Sequence, residues 1–266
     1  MLKISPLPLE KRYENYLKTW QSEIDQLVTF ADKVKQAKKQ YASKRRTKTF
    51  QHVCEILDKI CSGNRRCNYC EDSVADEVEH IKPKSLYPEF VFVWDNYLYA
   101  CGQCNTKKNN QYAIFVNNQK FQIISTNQAP PSGVDIFLNP RLDNPLDFIE
   151  LDLGDDIEDG TFLYQPKYLL EENSLEFIRA EYTITVLNIN KEYLLAGRKE
   201  AALNFRARLF DYKANKAILT SEKLDNFVRD FKKMRYPSVW YEIKRQRQRL
   251  PSINPFFIEF PEIIDW

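Results

Sequence analysis

Two short cysteine pairs constrain this chain more than any other feature: Cys67-Asn68-Tyr69-Cys70 and Cys101-Gly102-Gln103-Cys104. A Cys-x2-Cys knuckle curls its backbone so that both sulfurs face one point, and two knuckles supply the four thiolates of a tetrahedral Zn²⁺ site. Thirty residues separate Cys70 from Cys101. That exceeds the usual zinc-ribbon spacing, so the ion is expected to staple the ends of a larger insertion. Two buried thiol pairs or disulfides would not need both pairs at the same short spacing. Cys54 and Cys61, seven apart on a helical pattern, read as buried thiols rather than ligands.

The stapled segment carries the chemistry. His80, one of two histidines in the chain, follows Glu79 at the end of the run Glu77-Val78-Glu79-His80, which precedes Pro83 and reads as a short strand entering a loop. Asn96 opens a second apolar run, Tyr97 to Ala100, and Cys104-Asn105-Thr106-Lys107-Lys108 reads as a helix start. An imidazole with an ordinary pKa near 6.5 can take a proton from water at neutral pH, which makes His80 the candidate general base. His52, in FQHVCEILDKI, lies on a helical pattern away from these motifs and reads as structural.

Strand, long loop, strand and helix, with Glu79-His80, Asn96 and CGQCNTKK at 101–108 in that order, resemble the ββα-metal core of HNH endonucleases. The resemblance implies that Glu79 and Asn105 hold a hard divalent ion through oxygen, with Mg²⁺ suited to such sparse ligation. It also implies that Asn96 supports the loop of His80. Two positions depart from the common pattern: Glu79 stands where Asp is commoner, and Asn105 where the last His of the motif would stand. Both keep an oxygen ligand. Lys82, Lys84, Lys107 and Lys108 are expected at flanking phosphates.

The longer string EVEHIKPKSLYPEFVFVWDNYLYACGQCNTKK, with FLNPRLDNP and YTITVLNINKEYLLAGR after it, is similar to the PtuB-like family, nuclease subunits of Septu anti-phage systems and of some retrons. This implies a PtuA-like ATPase partner and a nucleic-acid substrate, DNA first and RNA as the alternative. A non-catalytic zinc module that binds nucleic acid or protein is the rival reading. It accounts for the cysteines but not for the ordered Glu79, His80, Asn96 and Asn105.

Charge is uneven, although the net value is only +2. Residues 33–48 hold eight basic and no acidic side chains, residues 143–159 hold eight acidic and no basic ones, and 229–249 is mostly basic with Tyr236, Trp240 and Tyr241 interleaved. Basic helices beside a nuclease cleft can follow a phosphate backbone, while a solvated helix face explains any single run as well. The acidic run fits a charge-protected hairpin edge or a surface that steers substrate away. The opening MLKISPLPLEKRYENY has no apolar signal core, and no run approaches membrane length. A cytoplasmic protein with no membrane partner is expected.

The expected fold class is α+β, with a zinc-stapled ββα-metal core embedded between helical segments. Leu17, Trp20, Ile24, Leu27, Ala31 and Val34 keep a 3-4 spacing that predicts one long amino-terminal helix, and Phe50, Val53, Leu57 and Ile60 predict a second. Three regions follow: a helical one over 1–62, the nuclease core over 63–116, and a small sheet followed by helices over 117–266. The terminal PFFIEFPEIIDW, with its aromatics, is expected to be exposed and, with the first helix, to dock the ATPase.

Overall fold

The structure, a computed structural model, describes residues 1–125 and 127–266. Helices α1 (Lys11–Asp25), α2 (Phe30–Lys44) and α3 (Lys48–Lys59) come first. The predicted single long helix is therefore two. The break comes from a cap: Thr29 Oγ1 accepts from the Asp32 N–H at 3.1 Å and donates to the Asp32 carboxylate at 2.7 Å. This Thr-x-x-Asp arrangement starts a helix afresh, and such a cap is worth about 0.5–2 kcal/mol. The apolar seam breaks with it, since Val28 and Ala31 are exposed while Leu17, Trp20, Ile24 and Ala37 are buried. Thr47 likewise caps α3 through the Phe50 N–H, and α3 buries Phe50, Val53 and Leu57.

Strands β1 (Glu77–His80) and β2 (Tyr97–Ala100) pair antiparallel, Glu79 opposite Leu98 and His80 opposite Tyr97, and α4 (Gly102–Lys108) follows. All of β2 is buried. It packs on α3, so the amino-terminal helices back the strand pair. Next, β3 (Ala113–Val116) and β4 (Gln119–Gln122) form a hairpin, and β5 (Val134–Asp135) joins the other edge of β3. Asn117 and Asn118 at the tip both have positive φ, as a two-residue hairpin turn demands. The expected boundary after residue 116 therefore cuts a hydrogen-bonded hairpin. A single hydrophobic core also runs from Met1 to Trp266 across all three expected regions.

A second small pair, β6 (Ile149–Leu151) with β7 (Tyr164–Pro166), precedes α5 (Leu175–Leu187), α6 (Glu192–Asn215), α7 (Ser221–Lys232), α8 (Pro237–Gln246) and α9 (Asn254–Glu259). The acidic run is largely consumed here. Asp152 binds the turn at Gly154 and Thr161, Asp156 holds Ser252, and Asp143 pairs with Arg179. The expected exposed aromatics of the carboxyl end are buried: Phe256, Phe257, Phe260 and Trp266 pack on α6, α7 and α8. Trp240 donates its indole N–H to the Trp266 carbonyl. That segment is core, because large rings gain more from this contact than from water, and it offers no aromatic docking face. Among the described residues no helix is long and apolar enough to cross a membrane.

Candidate active site and metal centre

Asn68 anchors the first knuckle to β2. Its Oδ1 accepts from the Ser62 N–H and its Nδ2 donates to the Tyr99 carbonyl. Cys101 follows β2 as the N-cap of α4, and Cys104 lies in the first turn of that helix, whose Asn105 N–H closes onto the Cys101 carbonyl at 3.0 Å. The four sulfurs of Cys67, Cys70, Cys101 and Cys104 lie within 4.8 Å of one another, with Cys70 and Cys101 at 3.9 Å. A tetrahedron of Zn–S bonds puts its sulfurs about 3.8 Å apart. All four residues are buried, and burial pushes the Cys67 thiol well above its usual range. Four thiolates therefore need a cation, and the site fits Zn²⁺. Cys54 and Cys61 stay outside the cluster, with burial raising Cys61 to about 12, as for an inert thiol.

His80 leaves β1 with its ring held on three sides. Nε2 lies 3.1 Å from the Val91 carbonyl, while Tyr41 and Tyr97 meet the ring edge-on at centroid distances of 4.6 and 5.1 Å. A carbonyl can only accept, so Nε2 carries the proton and Nδ1 presents a lone pair. Among the described residues Nδ1 has no hydrogen-bond partner. Burial, then repulsion from Lys84, lowers the imidazole to about 3, against the opposing Val91 contact. The ring is neutral at pH 7.

Glu79 points to the other face of β1, where the ammonium of Lys108 pairs with it at 2.6 Å and donates to the His80 carbonyl at 3.0 Å. Burial raises the Glu79 carboxyl, with Lys108 acting against it. Asn105, half-buried on α4, donates Nδ2 to Glu77 Oε2 at 2.5 Å, which leaves Oδ1 as its free end. Glu79, His80, Lys84 and Asn105 line one cleft of about 310 Å³. Neighbours on opposite faces of β1 thus border the same space.

Asn96 does not line that cleft. Its Oδ1 accepts from the Lys82 N–H at 2.7 Å, and Nδ2 donates to the carbonyls of Lys82 and Phe90. It ties the two ends of loop 81–96 together, and that loop carries Val91. The four lysines diverge. Lys84 reaches the cleft and Lys107 is exposed on α4, whereas Lys82 pairs with Asp135 at 2.8 Å. Lys108 corrects the sequence reading: its side chain is 0% exposed, so it cannot meet phosphate and instead holds Glu79. Sequence reasoning missed Glu77 and Tyr41. Alternation along β1 was the available signal for Glu77, since it shares the face of Glu79; nothing local pointed to Tyr41, which arrives from α2.

Among known proteins, residues 67–111 match the HNH endonuclease family model. A stretch of 76 residues is 38% identical to the Septu protein PtuB of Bacillus thuringiensis. That alignment covers 27% of this chain and 28% of the relative, so the chain spans about a quarter of the length of the protein it matches. The span of the family match, 67–111, contains the four cysteines, Glu79-His80 and the α4 residues described above. Residues 67–111 are an HNH endonuclease domain, set in a mixed helix and strand fold with its four cysteines placed as a zinc site.

Proposed function

We propose that this chain is a metal-dependent endonuclease that hydrolyses phosphodiester bonds in DNA. Its setting is the bacterial cytoplasm, as the nuclease effector of an anti-phage defence system governed by a PtuA-like ATPase. The fixed tautomer of His80 carries the chemical reading: Nε2–H is locked on Val91, which leaves Nδ1 unprotonated on a residue that lines the same cleft as Glu79 and Asn105. The name of the partial relative, a Septu protein, supports the defence setting.

In this mechanism a water at Nδ1 gives up its proton there as its oxygen attacks phosphorus. Glu79 and Asn105 present two oxygen donors at one cleft, a sparse set that suits Mg²⁺ with waters as its remaining ligands. A bound Mg²⁺ would supply Lewis-acid charge at the phosphate and the leaving 3′ oxygen. Lys108 opposes the protonation that burial favours at Glu79 and aims its carboxyl, Asn96 holds the loop that presents Val91, and Lys84 adds positive charge at the mouth. The cysteine cluster would hold Zn²⁺ as a structural ion.

The test compares wild type with His80→Ala on DNA and on structured RNA in Mg²⁺, with and without the ATPase. Loss of the base is expected to slow DNA cleavage by roughly 10²- to 10⁴-fold. Cleavage by His80→Ala at the wild-type rate would sink the assignment, and cleavage of RNA alone would replace DNA as substrate.

A further inference from the structure

The catalytic cleft does not end at α4. Thr106, Asn109 and Asn110 form one rim of it and are also the near wall of an open trough of about 1090 Å³. The far walls come from β4 and the segment after it, at Gln122, and from Lys191 at the start of α6. Both lie outside the segment that matches the HNH family.

The chemistry of this trough is uniform. No carboxylate lines it, and Lys107 and Lys191 make no ion pair among the described residues. Several of its amides are oriented by fixed partners. Ser85 donates to Asn110 Oδ1 at 2.5 Å and Tyr193 donates to Gln103 Oε1 at 2.6 Å, which leaves each NH₂ group as the end not engaged by that partner. Gln122 donates to the Tyr112 carbonyl at 2.8 Å and so presents its oxygen. Oriented donors and acceptors between two free ammonium groups match a polymer that alternates phosphates with polar base edges.

We infer that the DNA strand on one side of the scissile phosphate runs from the cleft over Thr106 and Asn110 into this trough, with Lys107 and Lys191 at its phosphates and the amides against its bases. The inference rests on the nuclease reading for the position of the scissile phosphate, but the binding surface itself does not. Since Gln122 and Lys191 lie outside the catalytic segment, the trough gives this chain a substrate preference of its own.

The test is fluorescence anisotropy of a labelled DNA duplex with the full chain in EDTA, where nothing is cut, across a salt series. Lys191→Gln is expected to weaken binding several-fold and to lower the slope of log affinity against log salt by about 0.9, as for one lost phosphate contact. Gln122→Ala is expected to weaken binding with the salt slope unchanged. Both side chains lie at the surface, and thermal melts compare the folding of the two variants with wild type. Wild-type affinity and slope in both folded variants would overturn the trough, as would a wild-type chain that binds no DNA. Wild-type protein that binds DNA as described yet cleaves none in Mg²⁺ or Mn²⁺ would remove the nuclease reading alone.

Discussion

The carboxylate of Glu77 accepts a hydrogen bond from the side-chain amide of Asn105 at 2.5 Å, across the step from β1 to α4. Gly102 leaves room beside it, since an added Cβ there would lie a tight 3.2 Å from Glu77 Oε1. An amide can rotate end for end, and this contact decides which end is free. Partners behind a metal ligand are typically worth about 10- to 100-fold in metal affinity. Glu77→Ala is therefore predicted to raise the Mg²⁺ concentration needed for half-maximal cleavage by about that factor, with Glu77→Gln closer to wild type because it keeps an acceptor. A metal titration of cleavage checks this. Identical midpoints for wild type and Glu77→Ala would exclude the role.

Four sulfurs within 4.8 Å tie the end of β2 and the start of α4 to the loop after α3. A structural Zn²⁺ in such a site contributes on the order of 10 kcal/mol in small zinc domains. Cys67→Ser or Cys104→Ser is predicted to lower zinc content and the melting temperature together, whereas Cys54→Ser leaves zinc content unchanged. Elemental analysis paired with circular dichroism reads both. Wild-type protein that is folded, active and zinc-free would refute the staple.

Lys108 and Glu79 form a buried pair, and a pair of this kind behaves asymmetrically under mutation. Removing one partner leaves the other charge stranded, at a cost of about 3–5 kcal/mol, whereas replacing both can be nearly neutral. Lys108→Met is predicted to lose stability in that range in urea unfolding, and Lys108→Met with Glu79→Leu to recover much of it. Were Lys108 a phosphate contact instead, Lys108→Met would reduce the salt dependence of DNA binding at unchanged stability.

The two basic runs are not equivalent. Arg235 pairs with Asp72, Arg245 with Glu242 and Glu150, and Lys244 donates to carbonyls, so 229–249 is largely bound within the fold. Residues 33–48 contain no ion-paired cation among the described residues, and Lys38 and Arg45 lie near enough to Lys84 to depress its ammonium, after burial and Lys108. Lys38→Gln with Arg45→Gln is predicted to flatten the salt dependence of DNA binding by nearly two units of slope. Arg245→Gln should instead lower stability with little effect on that slope. The same anisotropy titration with unfolding curves separates them.

The order of the candidate site was legible because its members sit on adjacent short elements whose spacing the cysteines fix. The choice between Lys107 and Lys108 was not. A seven-residue helix shows too little period to say which of two neighbouring lysines turns inward, and only its seating against β1 decides. The break before α2 was legible in principle, since Thr29 and Asp32 spell a cap, yet the apolar spacing ran straight through it. Burial of Phe256, Phe260 and Trp266 depends on partners as distant as Tyr212 on α6, and Pro255 and Pro261 break up any local period there. Tyr41 reaches His80 from another helix, beyond the range of any local pattern.

Helix α4 places a zinc-site sulfur at Cys104, an oxygen donor at Asn105 and the buried cation Lys108 within five consecutive residues. An α-helix turns about 100° per residue. One residue inserted between Cys104 and Asn105 would swing the amide and the ammonium together by that angle, away from Glu77 and Glu79, while leaving every cysteine in place. The loop 81–96 is fixed at several points instead: its ends are clasped by Asn96, and between them it delivers Lys84 to the cleft, Ser85 to Asn110 and the Val91 carbonyl to His80. A single inserted residue in the helix would therefore disable the cleft while the metal staple stayed whole.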